Sequence, residues 1–112
     1  MNDVDIYISR FDLEVQHRLM IIRTITKELV PDADERVYFG VPTIKVNGLD
    51  VLHYAAYKNH ISLIVGYDLA EYLMKHFPQY LYTKATVKFP HKNDLPIEFI
   101  KNVYEMILQY RR

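Results

Sequence analysis

Residues 31–60 leave this chain few choices of fold. Pro31 cannot continue a helix, because its ring removes the amide proton and clashes with the preceding turn. After it come a tight connection through Gly40-Val41-Pro42 and two strand–turn–strand units, punctuated by Asn47-Gly48 and Lys58-Asn59. Read as a two-residue turn, Lys58-Asn59 pairs Tyr57 with His60, Ala55 with Ser62 and His53 with Ile64. Leu52, Tyr54, Ala56, Ile61, Leu63 and Val65 then share a core face, and His53, Ala55, Tyr57, His60, Ser62 and Ile64 share a mixed one. At the first hairpin a two-residue Asn-Gly turn would direct Thr43 and Lys45 inward. Burying a lysine costs several kcal/mol, to order of magnitude. A longer loop with Gly48 left-handed in a bulge is expected instead, presenting Ile44 and Val46 to the core.

Helices flank this sheet. Asp12 is a good N-cap for a helix reaching Leu29, with Val15, Leu19, Ile22, Ile25 and Leu29 as its buried stripe. Asp3 to Ser9 reads as a short helix or, from the alternation of Val4, Ile6 and Ile8, as a strand, with the helix favoured. Asp68-Leu69-Ala70-Glu71 has the capping-box pattern, opening a helix that buries Leu69, Tyr72, Leu73 and Phe77 and stops at Pro78. Ala85 to Phe89 reads as a fourth strand. Asp94-Leu95-Pro96 starts the last helix, buried along Ile97, Ile100, Val103, Tyr104, Ile107 and Leu108. The strand region begins near Arg36 or after Pro42. The expected fold is α+β: a four-stranded, mainly antiparallel sheet packed against helices, as one domain over residues 1–112.

Composition narrows the function classes. Half of the 112 residues are hydrophobic and a quarter charged, which is globular usage. The absence of cysteine excludes disulfides, thiolate metal sites and cysteine nucleophiles. Fourteen basic and fourteen acidic residues give zero formal charge, so no nucleic-acid partner is expected from the average. No segment approaches the ~20 apolar residues of a membrane span, and the acidic first residues lack a signal-peptide layout, so a cytoplasmic location is expected. Ten tyrosines and no tryptophan favour phenols at the core edge, in pockets or at interfaces.

Candidate chemistry is sparse. Of the five histidines, none has a helical metal-pair spacing, and His53 and His60 lie about 13 Å apart on one face. His60, beside Tyr57 and near Ser62, marks a polar corner. Asp32, Asp34 and Glu35 cluster after the long helix; such oxygens hold hard cations only weakly without a calcium-loop glycine and distal glutamate. Glu35 is placed to point inward and accept a hydrogen bond. Lys84, Lys88, His91 and Lys92, with Tyr80 and Tyr82 nearby, suit an anionic ligand or, more simply, a lysine-protected edge strand. No nucleophile elbow or phosphate loop is present, and an enzyme is not indicated.

Three ordered motifs carry a resemblance. They are Pro31-Asp32-Ala33-Asp34-Glu35-Arg36-Val37-Tyr38-Phe39-Gly40-Val41-Pro42-Thr43, then Ala55-Ala56-Tyr57-Lys58-Asn59-His60-Ile61, then Thr83-Lys84-Ala85-Thr86-Val87-Lys88-Phe89-Pro90 with Leu95-Pro96. Together they resemble the YdhG-like family, the domain of unknown function 1801. Ile64-Val65 stands where that family usually has tyrosine–proline, and Ala85 where it has glycine. The resemblance implies a frataxin-like two-layer sandwich and a small binding protein, one family member being described as an iron chaperone for iron–sulfur cluster and haem assembly. It implies weak ferrous iron as cargo, iron–sulfur assembly proteins as partners, no required cofactor, and a monomer or homodimer. Ligand contacts would fall on Glu35, Tyr38, Tyr57, His60 and Lys84, and metal contacts on Asp32, Asp34, Glu35 and His60. The long helix mixes Asp12, Glu14 and Glu28 with Arg18, Arg23 and Lys27, so it offers no acidic ridge. A small-molecule or protein-binding module without metal is the alternative, and an acid–base pair of Glu35 and His60 a third reading.

Overall fold

The computed structural model describes residues 2–110, with the side chain of Tyr110 excepted. Helix α1 (Asp3–Ser9) and helix α2 (Leu13–Leu29) precede strands β1 (Asp34–Tyr38), β2 (Val41–Val46), β3 (Leu49–Ala56) and β4 (His60–Ile64). Helix α3 (Tyr67–His76), strands β5 (Leu81–Thr83) and β6 (Thr86–Pro90) and helix α4 (Ile97–Tyr110) complete the chain. The α+β class holds, but the sheet has six antiparallel strands in the order β1-β2-β3-β4-β6-β5, not four. The two additions are its edges. Strand β1 is mostly charged, and β5 spans three residues, too few to show a period of two.

Register follows the turns. Tyr57 N–H donates to the His60 carbonyl at 2.8 Å, and His53↔Ile64, Tyr54↔Leu63, Ala55↔Ser62 and Ala56↔Ile61 pair as expected. The first hairpin reaches the expected phase by another route. Asn47 and Gly48 form a two-residue turn, both at positive φ (53° and 78°), with Val46 opposite Leu49. The extra residue is Val51, because Lys45 faces Asp50 while Ile44 faces Leu52. Ile44 is therefore fully buried, and Lys45 lies on the other face in an ion pair with Asp50 at 2.9 Å.

One side of the sheet carries Glu35, Val37, Ile44, Leu52, Tyr54, Ile61, Leu63, Val87 and Phe89. Its buried apolar members form one cluster with Val4, Tyr7, Leu19, Ile22, Phe99, Ile100 and Val103 of the helices. Burial at ~25 cal/mol per Å2 of apolar surface is the main stabilising term here. The opposite side carries Tyr38, Thr43, His53, Ala55, Ser62, Ile64, Thr86 and Lys88, none of which joins that cluster. Helices thus cover one face only.

The helices depart from expectation in three places. The chain enters α3 through Gly66 at φ 95°, with no side-chain cap, so Asp68 lies inside the first turn and the capping box does not form. Tyr72 and Ile97 are exposed, while Ala70 and Phe99 are buried in their stead. Edge strand β1 is blocked by Asp3, whose carboxylate accepts from the Val37 N–H at 3.0 Å. Among the described residues no helix is long and apolar enough to cross a membrane.

Inside the core, Thr26 Oγ1 donates to the Ile22 carbonyl at 2.9 Å and accepts from the Tyr104 hydroxyl at 2.6 Å. Burial pushes the Tyr104 phenol far above its ordinary value, so it remains a donor. Replacing Tyr104 by Phe deletes one buried bond yet leaves the threonine its carbonyl partner. Urea unfolding should show a loss of about 1 kcal/mol.

Candidate binding face

The two-residue turn between β3 and β4 places Tyr57 and His60 side by side. Their rings stack with centroids 5.0 Å apart and planes 27° from parallel. His91 braces the turn: its Nε2–H donates to the Tyr57 carbonyl at 2.8 Å, and its backbone N–H to the Asn59 carbonyl at 2.9 Å. The Tyr57 side chain is 49% exposed, so its ring is held in place yet open to a partner. Strand β6 brings Lys88 opposite Ser62, diagonal to His60. Partial burial holds the His60 imidazole below its ordinary pKa, with the positive charges of Lys88 and His91 adding to the effect. The corner is therefore electropositive.

Farther across the same face, Tyr38 on β1 sits two strands from β3, about 10 Å away. The Lys45 ammonium lies 4.5 Å from its ring centroid. Thr43 Oγ1 and His53 Nδ1 share a hydrogen bond at 2.7 Å, and Thr43, Ala55 and Ser62 are small and buried at the base of the face. The two carboxylates here are each matched by a cation, Asp34 by Arg36 at 3.4 Å and Asp50 by Lys45.

Of the residues singled out in the sequence, Tyr38, Tyr57 and His60 share this face. Lys84 does not join them. It lies in the β5–β6 turn, at the end of the sheet where Ile64 pairs with Thr86, four strand residues or about 13 Å from the His60 row. Glu35 is on the helix-covered face, its side chain 12% exposed, with Oε1 2.8 Å from Arg23 Nε and accepting from the Tyr54 hydroxyl at 3.1 Å. Its expected inward hydrogen bond is present. Burial raises its pKa, and Arg23 and Tyr54 partly offset that rise.

Glu35 and His60 thus point to opposite faces, and the acid–base pair cannot act on one substrate. The four metal candidates do not converge either. Asp32 is in the exposed turn after α2, Asp34 faces away from Glu35 on β1, and His60 lies three strands away. Among the described residues no group of three His, Asp or Glu side chains is placed to hold a metal ion. Tyr80 and Tyr82 are committed elsewhere. The first stacks on Phe99 at 4.2 Å, and the second donates to the Phe77 carbonyl at 2.8 Å.

Net neutrality conceals a segregation of charge. Residues 51–67 and 72–93 hold five lysines and four histidines and not one Asp or Glu. They build most of β3 and all of β4, β5 and β6, so these acid-free stretches become the half of the sheet bearing Tyr57, His60 and Lys88. Among the described residues no carboxylate lies within ion-pair distance of Lys58, Lys84, Lys88 or Lys92. Scanning charge by segment finds this signal; whole-chain charge hides it.

Two cavities lie elsewhere. One of about 780 Å3 opens between α3 and α4 over Val51 and Val65, lined by Leu69, Tyr72, Met106 and Ile107. Another of about 280 Å3 lies between α2 and α4.

These features define the class: a small α+β domain with one helix-covered sheet face and one open, aromatic and basic face. No family model matches the chain, and no curated protein matches it. Among solved structures it is similar to a protein of the domain of unknown function 1801 family, YdhG of Bacillus subtilis. The TM-score is 0.89 at 13% identity, covering 97% of this chain and 90% of that one. At that identity the likeness is one of fold.

Proposed function

We propose that this chain is a YdhG-like binding module that takes an anionic partner on the open face of its sheet, at the Tyr57–His60–Lys88 corner. The observation that carries the reading is the acid-free half-sheet, whose lysines have no carboxylate within ion-pair distance among the described residues, while the two acids of the remaining face are already paired. An anion there replaces solvent around Lys88 and gains charge-assisted hydrogen bonds from it and from protonated His60. The fold likeness and the three ordered motifs support the family placement.

The sign of the pH dependence follows from His60. Its pKa is held below the ordinary imidazole value, and a bound anion offsets the charge of Lys88 and raises it. Binding must therefore tighten as pH falls and the imidazole takes up its proton. In a proton NMR titration, inorganic polyphosphate should raise the His60 pKa in the intact chain, and less so in Lys88→Ala. An unmoved His60 overturns the reading.

The iron-chaperone role in a frataxin-like sandwich, drawing on Asp32, Asp34, Glu35 and His60, rests on the resemblance alone. Glu35, its best-placed oxygen donor, is already bonded to Arg23 and Tyr54. Anaerobic calorimetry with ferrous iron tests it, since Glu35→Ala or His60→Ala should then weaken binding.

A further inference from the structure

We propose that the anionic partner is a single-stranded nucleic acid, its bases stacked on the exposed rings and its phosphates held by the acid-free half-sheet. The inference rests on the anionic-partner reading and adds what charge alone does not explain, the aromatic residues.

Their placement costs stability. Phe39 occupies the turn between β1 and β2 at φ 53°, a left-handed conformation that disfavours L side chains. Its ring is 95% exposed. Asparagine, aspartate or glycine would relieve the backbone and remove an apolar ring from water. The β1–β2 and β3–β4 turns lie at the same end of the antiparallel sheet, so Phe39, Tyr38, Tyr57 and His60 line one rim. Lys58 is in the second turn, Lys88 is below His60 on the face, and Lys92 follows His91 at the end of β6.

The exposed Phe39 ring and the outer face of the Tyr57–His60 stack share this end of the sheet with cations that have no carboxylate within ion-pair distance among the described residues. That pairing of flat ring and positive charge suits the base and phosphate of a single strand. An acidic polypeptide would satisfy the cations but leave the rings without a partner. A duplex offers its bases only inside grooves, and this face presents no helix or ribbon that could enter one. Stacking needs no particular sequence, because every base has a π-face, so affinity should vary little with base identity.

Fluorescence anisotropy of a labelled oligouridylate twelve-mer tests this directly. With Lys58, Lys88 and Lys92 each neutralising one phosphate, log K should fall against log salt with a slope of about −2. Tyr57→Ala should weaken binding at least fivefold and Tyr57→Phe should restore it, while Lys88→Ala should reduce the slope by about 0.7. The Tyr57 ring is exposed and the turn is held by backbone atoms, so both variants should keep the fold.

Inorganic polyphosphate at equal charge is the comparator. If it binds as tightly as the oligonucleotide and Tyr57→Ala changes neither, the nucleic-acid assignment is overturned and the anionic-partner reading stands. If neither polymer binds, both fall.

Discussion

Replacing Arg23 by Met is expected to destabilise the fold by about 3–5 kcal/mol at neutral pH, the range for breaking a buried ion pair from one side. Arg23 reaches out of α2 beneath the first strand. Its Nη1 lies 2.5 Å from Asp5 Oδ1 and its Nε 2.8 Å from Glu35 Oε1, with its own side chain 9% exposed. Methionine fills most of the volume but leaves Glu35 with only the Tyr54 hydroxyl. The cost must depend on pH, and its sign is fixed. Burial already raises the Glu35 pKa, and removing Arg23 takes away the main effect opposing that rise. A carboxyl whose folded pKa exceeds its unfolded one holds more protons when folded, so stability falls as pH rises through that window. Asp5, whose pKa Arg23 lowers, also loses its partner, and that loss too is felt above the carboxylate range. Urea unfolding at pH 4 and pH 8 should therefore give a markedly smaller penalty at pH 4. Adding Glu35→Gln to the variant should recover about half or more of the loss at pH 8, because a neutral amide can keep the Tyr54 bond. A penalty equal at both pH values, or no recovery, would assign Arg23 to packing alone.

That network shows where sequence reading stops. The inward turn of Glu35 was legible from its place beside the strand start, three residues before Tyr38, but its partner was not. Arg23 lies twelve residues earlier on a helix that reads as ordinary and amphipathic, and no local spacing links the two. The β3–β4 hairpin was legible because the apolar alternation of Leu52, Tyr54 and Ala56 continues through Ile61 and Leu63 across a turn of fixed length. The bulge was half legible. Keeping Lys45 out of the core demands one extra residue in the hairpin, yet Val51 is apolar and fits either phase, so nothing local places the insertion there. Strand β1 was left open as a start near Arg36 because its charges mask it, since an edge strand with one open face needs few apolar residues. Tyr72 and Ile97 were assigned to the core by helical spacing, but the width of a buried stripe depends on which neighbours pack against it. The wide cavity between α3 and α4 leaves Tyr72 uncovered.

The candidate face divides in the same way. Tyr57 and His60 followed from the turn alone. The resemblance pointed to Lys84 within a cluster that also held Lys88, yet Lys84 sits in a turn and Lys88 on the strand, so of the two it is Lys88 that lies near the Tyr57 corner. Glu35 was grouped with His60 because the family resemblance implies both and together they offer an oxygen and a nitrogen donor. Separating them needs the phase of β1 on β2, which depends on a Phe39-Gly40 turn in which phenylalanine adopts positive φ. Propensity argues against that conformation.

The corner itself depends on a residue that touches none of its rings. Arg18, on α2, donates Nη1 to the Asn93 carbonyl at 2.6 Å and Nη2 to the carbonyls of Pro90 at 3.1 Å and Phe89 at 3.4 Å. Three backbone oxygens at the end of β6 thus share one guanidinium, with no carboxylate within ion-pair distance among the described residues. Burial lowers its pKa, but an arginine stays protonated throughout the working range. The stapled segment carries His91, which holds the turn bearing Tyr57. Removing the guanidinium should therefore loosen β6, then His91, then the Tyr57–His60 stack. Arg18→Met should cost about 2–3 kcal/mol, the scale of a few charge-assisted bonds that do not add fully. Arg18→Lys should recover only part, since one ammonium cannot span three carbonyls in the geometry of a planar fork. Amide hydrogen exchange separates this from a uniform loss of stability. Protection should fall first at the Tyr57 and His91 amides, which donate to the His60 and Asn59 carbonyls, while the Tyr104 region of the core keeps its protection up to global unfolding. Equal loss at both places would mean that Arg18 stabilises the whole fold and has no particular hold on the binding corner.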